Sequence, residues 1–172
     1  LERPHPTKIL LVTAENIFLQ RALALLPHVD LFRASPNRYG EIDSNQFDLI
    51  IFDGFLPDEL PQQNLFIVNP PESALLPVEG ALFRPNISTW ESESPLLRYV
   101  SVRDVRVQRA AKVSAPGWAK TLVEAEGHPL LLAGERQGQR LVSLLFDLQQ
   151  SNLPLSAAFP ILIANVVGYL EP

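Results

Sequence analysis

The stretch over residues 141–170, LVSLLFDLQQSNLPLSAAFPILIANVVGYL, constrains this chain more than any other. Residues 141–146 form a short apolar run, which reads as a buried strand. Asp147 stands where that strand ends. A polar turn follows, Gln149-Gln150-Ser151-Asn152, and then Leu153-Pro154-Leu155. Residues 157–170 are apolar over a length that exceeds a typical strand. They predict a helix with Ser156 as N-cap and Pro160 in the first turn, where a missing N–H is tolerated. A helix apolar nearly all round has to be buried or lie against apolar surface. Strand, carboxylate, polar turn and helix start, in that order, build the crevice of an open α/β sheet. Asp147 and Ser151 would also serve simply as caps of the turn, the commoner use of those residues.

The earlier chain alternates strand and helix patterns. Residues 8–14, KILLVTA, read as a strand. Residues 15–26 predict a helix with its apolar stripe at Ile17, Phe18, Ala22, Leu25 and Leu26, closed by Pro27. Residues 29–34 are a second strand, and 35–45 a polar loop or short helix. Residues 48–56, DLIIFDGFL, are a third strand running into Asp53-Gly54. Residues 65–69, LFIVN, are a fourth, followed by Pro70-Pro71. This is the βαβ grammar of a parallel sheet, and near-continuous apolar runs fit strands buried on both faces. Residues 72–94, rich in Pro, Ser and Glu, predict irregular structure with short strands. The alternation over 95–107 predicts an extended segment. Residues 118–125, 128–133 and 141–146 predict antiparallel strands turning at Gly127 and at GERQG, 134–138. The predicted fold is α/β: a flavodoxin-like three-layer sandwich whose mixed sheet is parallel first and antiparallel later. Residues 1–7, with Pro4 and Pro6, read as a linker, and 8–172 as a single domain.

Composition narrows the function. The 172 residues suit one domain with a sizeable core. Net charge is −5 and no basic patch stands out, so nucleic acid is not an expected partner. Cysteine is absent, which removes thiolate nucleophiles and Cys-ligated metals. Methionine is absent even at position 1, so the chain is expected to be a piece of a longer protein. The apolar stretch 157–170 is shorter than the ~20 residues of a membrane-spanning helix.

Candidate chemistry is sparse. His5, His28 and His128 lack a second histidine at ligand spacing, so neither metal nor cofactor is expected. No G-x-S-x-G elbow occurs, and the turn Thr13-Ala14-Glu15-Asn16 has no glycine to cradle phosphate. Asp53 and Asp147 could form an acid/base or cation site if both lie at strand C-termini on one edge.

The order KILLVTA, DLIIFDGFLP, NLFIVNPP resembles the first half of a class I glutamine amidotransferase-like domain. In that family a strand ending in Asp-Gly precedes one that ends in a nucleophile elbow with a catalytic Cys. The elbow would fall at Val68-Asn69-Pro70-Pro71, which has no Cys and whose prolines offer no N–H to an oxyanion. The family's later His-Pro-Glu segment corresponds to Phe146-Asp147-Leu148, without His. The set FDGFLP, NPP, SPLLRYV, LLLAGERQGQRLVSLLFDL and SNLPLSAAFPILIANVVGYL resembles more closely the amidotransferase-like domain of BatA-like bacterial membrane proteins with a von Willebrand factor A domain. That domain's own D-x-S-x-S metal motif is not in this chain.

The resemblance implies a non-catalytic domain of a membrane-anchored protein, acting in protein interaction or domain positioning. Its partners would be other domains of that protein or other proteins, and its tie to the membrane a neighbouring transmembrane segment outside this chain. The alternatives are a small-ligand sensor, or an enzyme working through strand-end carboxylates. The candidate crevice comprises Asp53, Asn69, Asp147, Ser151 and Asn152. A closed, apolar-filled crevice at Asn69 would sink both alternatives.

Overall fold

The computed structural model describes residues 5–172. Ten strands and two α-helices form it: β1 (Thr7–Val12), α1 (Ile17–Ala24), β2 (Val29–Ala34), β3 (Leu49–Asp53), β4 (Asn64–Val68), β5 (Val78–Phe83), β6 (Ile87–Trp90), β7 (Arg109–Val113), β8 (Ala119–Ala125), β9 (His128–Arg136), β10 (Gln139–Leu144) and α2 (Ala158–Leu170). Eight strands make one sheet in the order β2-β1-β3-β4-β10-β9-β8-β6. The first five positions run parallel, and β9, β8 and β6 continue antiparallel. The fold is therefore the α/β, flavodoxin-like mixed sheet that the sequence predicts. β5 and β7 form a separate antiparallel pair.

The apolar runs are continuous because both sheet faces are covered. Ile9 and Leu11 of β1, Leu49 and Ile51 of β3, and Phe66 and Val68 of β4 face α1 and α2. Their neighbours Leu10, Val12, Ile50, Phe52, Leu65 and Ile67 fill the opposite core. That second face is roofed by loops and 3₁₀ turns at Pro36–Glu41 and Ser44–Gln46. Tyr39 and Phe55 pack edge-on against Phe52 there, with ring centroids 5.3 and 6.0 Å away.

Several local expectations need correction. Thr7 belongs to β1 and donates its N–H to His28 O at 2.8 Å, so the expected 1–7 linker does not reach that far; its residues 1–4 lie outside the described residues. α1 buries Leu19, Ala22 and Leu23, while Ile17 and Leu25 of the predicted stripe are exposed. Asn16 caps this helix through Leu19 N and so fixes its rotation. α2 begins at Ala158, not at 157, and Ser156 does not cap it; the Ser156 hydroxyl donates to Leu153 O at 3.0 Å, closing the 3₁₀ turn Leu153–Leu155. Pro160 sits third in the helix, where its missing N–H has no intrahelical partner to lose. The segment 95–107 is not extended. It opens with the 3₁₀ turn Pro95–Leu97, and Val100, Val102, Val105 and Val107 are buried without strand pairing over most of its length.

The C-terminal end of α2 is tied to the sheet. Arg140 donates to Tyr169 O at 2.8 Å and Glu171 O at 3.0 Å, and Asn64 donates to Leu170 O at 2.7 Å. These donors satisfy carbonyls that a helix end leaves free.

Gly134 of β9 marks the tightest approach. A Cβ there would overlap the Trp118 carbonyl oxygen and lie 3.0 Å from Ala119 Cα, both rigid backbone. Gly134→Ala should therefore destabilise the fold by about 3 kcal/mol. Urea unfolding of both proteins checks this, and an unchanged midpoint would show that the β8–β9 pair has room to spare.

Candidate functional site

The C-terminal ends of β1, β3, β4 and β10 meet at one sheet edge, since these strands are mutually parallel. β3 delivers Asp53, β4 delivers Asn69, and β10 runs on to Asp147. The two carboxylates named from sequence thus share the edge, close enough that the charge of Asp147 acts on Asp53.

Asp53 is a tether. Its Oδ2 accepts from Thr13 Oγ1 at 2.8 Å and from Asn16 Nδ2 at 3.1 Å. Thr13 and Asn16 are both buried. Asn16 caps α1 with its oxygen and holds Asp53 with its nitrogen, so one carboxamide locks helix to strand. Burial pushes the Asp53 carboxyl above the usual carboxylate range; the bonds from Thr13 and Asn16 oppose the shift, and Asp147 adds to it.

Asn69 follows β4 with φ +50°, in the left-handed region that Asn tolerates better than most residues. Its N–H continues the ladder to Leu144 O at 2.8 Å. Pro70 is buried directly behind it. Asp147 Oδ1 accepts from Gln149 N at 2.9 Å, capping the 3₁₀ turn Leu148–Gln150, so the capping reading of Asp147 holds.

Ser151 and Asn152 turn away to clamp the neighbouring loop. Asn152 Oδ1 accepts from Arg106 N at 2.7 Å, and its Nδ2 donates to Asp104 O at 3.0 Å. Ser151 bridges to Val107 through a strand-like pair, and its hydroxyl accepts from Leu153 N at 3.2 Å. Neither of these two lines the crevice, and nor does Asp53, which is turned to Thr13 and Asn16.

That crevice has a volume of about 270 Å³, with Asn69 and Asp147 on its wall. It is polar, not closed by apolar side chains. β7 hangs over it, held to the edge by Ala111 N donating to Leu145 O at 2.8 Å. From this side come Gly80 and Arg109, and from the segment after β4 comes Glu72. Sequence reasoning missed Arg109, Glu72, Thr13 and Asn16. Asn16 carried a readable signal, a capping residue just before a helical stripe. Among the described residues no His, Asp and Glu side chains gather in threes as a metal site.

No family model matches the chain, and no curated protein matches it. Solved structures do. A cytoplasmic protein of Salmonella typhimurium LT2 superposes with a TM-score of 0.73 at 11% identity, covering 96% of this chain and 100% of that one. A ThuA-like protein from Parabacteroides merdae gives 0.67 at 12% identity, over 96% and 90%. A GMP synthase component from Thermoplasma acidophilum gives 0.61 at 12% identity, over 97% of both chains. At such identity the likeness is one of fold, and that fold is glutamine amidotransferase-like.

The expected tie to a membrane does not stand. The neighbours include two Salmonella proteins described as cytoplasmic, and no helix among the described residues is long and apolar enough to cross a membrane.

The Asp53 environment sets a pH dependence. Its folded-state pKa lies above the unfolded one, so its contribution to stability is full below the ordinary carboxylate range and is lost as pH rises through the folded value. From about pH 4 to 7 the parent should lose stability relative to Asp53→Asn, which has no proton to release there. Urea melts across that range measure the difference, and an opposite slope would contradict the assigned direction.

Proposed function

We propose that this chain is a non-catalytic, glutamine amidotransferase-like domain that acts by binding, holding a protein partner or positioning a neighbouring domain. The observation that carries the reading is Asn69. It occupies the turn at the end of β4 where the amidotransferase pattern puts its nucleophile, with the left-handed backbone of an elbow and a carboxamide in place of a thiol. Pro70 follows and offers no N–H to a developing oxyanion. No histidine lines the crevice.

The alternative of an enzyme working through strand-end carboxylates is less well supported. Asp53 is held by Thr13 and Asn16, and Asp147 caps its own turn. Small-ligand binding has a specific observation in its favour, the polar crevice of about 270 Å³ beside Asn69. The von Willebrand factor A setting rests on the resemblance of the late sequence motifs to BatA-like proteins; a neighbouring domain of that kind would be the one positioned.

The pure domain should release no ammonia from glutamine above the buffer blank. Asn69→Cys should stay equally silent, because the crevice supplies neither a histidine base nor an amide at Pro70. An ammonia assay on both proteins checks this, and steady release by the parent would overturn the reading.

A further inference from the structure

The crevice beside Asn69 supports a ligand class, an inference that rests on the small-ligand reading above. Five of its lining side chains are planar and polar: Asn69, Glu72, Arg109, Asp147 and Gln150. The described residues offer no ion-pair partner to Arg109, Glu72 or Asp147, and no hydrogen-bond partner to the Asn69 carboxamide. Donors and acceptors therefore face one recess together.

Charge and polarity sort the ligands that such a recess can take. A free anion meets Glu72 and Asp147, and a free cation meets Arg109. An apolar ligand would strip water from all five groups and return no hydrogen bond. A neutral polyol suits both kinds of wall, because each hydroxyl donates one hydrogen bond and accepts two. Neighbouring hydroxyls on a ring also match the paired atoms of a carboxylate, an amide or a guanidinium. The volume lies just under the roughly 300 Å³ at which ligand pockets begin, which suits one ring better than a long chain.

The rim adds an apolar element. Phe83, at the end of β5, is 72% exposed. The Arg109 guanidinium carbon lies 6.0 Å from the centre of its ring, so the ring stands within one side chain of the recess. An aromatic face left in solvent at that place gains by covering the C–H face of a sugar.

We propose that this crevice binds a saccharide through a single ring, its hydroxyls held by Asn69, Arg109 and Asp147 and its C–H face turned to Phe83. The test is a titration of the whole ¹⁵N-labelled chain, followed by its backbone amide signals. D-glucose, D-mannose, D-galactose and N-acetyl-D-glucosamine are the probes, with putrescine, inorganic phosphate and L-glutamine as comparators. At least one sugar should shift the Asn69, Gly80, Arg109 and Asp147 signals saturably at millimolar concentration, and the comparators should not. Asn69→Gly keeps the left-handed backbone without its carboxamide. That variant and Arg109→Ala should each weaken binding about tenfold, the loss of one to two hydrogen bonds, with the other signals unmoved. The proposal falls if no sugar of the panel shifts these amides, if a comparator shifts them instead, or if both variants bind as the parent does. Such a failure leaves the non-catalytic reading standing, since only ammonia release removes that one.

Discussion

The ladder between β4 and β10 is the joint of the molecule. β10 pairs in parallel with β4 on one side and antiparallel with β9 on the other. Without it the parallel half and the antiparallel half would be two sheets with open edges, each exposing unpaired backbone groups. The paired positions 65–68 and 141–144 are all buried, and their one polar side chain is satisfied: Ser143 donates to Ile67 O at 2.9 Å across the ladder. Everything at the functional edge follows from this pairing. It sets Asp147 beside the ends of β3 and β4, and it launches the turn that carries the chain back into α2.

Strand ends were the legible part of the site. Asp53, Asn69 and Asp147 each follow an apolar run long enough to read as a strand, and parallel strands must finish at a common edge. Arg109 and Glu72 could not be read that way. They reach the crevice from β7 and from the segment after β4, and only the folded chain shows where those two lie. Ser151 and Asn152 show the converse error. They neighbour Asp147 in sequence, yet the turn Leu148–Gln150 aims them at residues 104–107.

The fold was read well where burial is two-sided and poorly where one contact decides a rotation. The apolar runs of β1, β3, β4 and β10 need no phase, because both faces are core. α1 does need one. Its apolar residues are numerous enough to draw two stripes, and the Asn16 cap together with the Asn16–Asp53 bond selects Leu19 and Leu23 over Ile17 and Leu25. Val100 and Val102, and again Val105 and Val107, are spaced like a strand, with a slip of one residue at Arg103-Asp104. The neighbouring edge goes instead to β7, and their burial is met by loops against the helix-side core.

The left-handed turn at Asn69 is a property of the sheet. Its N–H must donate to Leu144 O, because that pair is the last rung of the joint. The next residue then has to leave the sheet over its edge, and Pro70 cannot extend the ladder because it has no N–H. A left-handed residue between rung and exit is the short way to make that turn, and Asn accepts it at less strain than a β-branched residue would. In this chain the turn places a carboxamide residue on the wall of a polar recess. Geometry and chemistry are thus separable at this position: the ladder requires the turn, and it sets no requirement on the carboxamide.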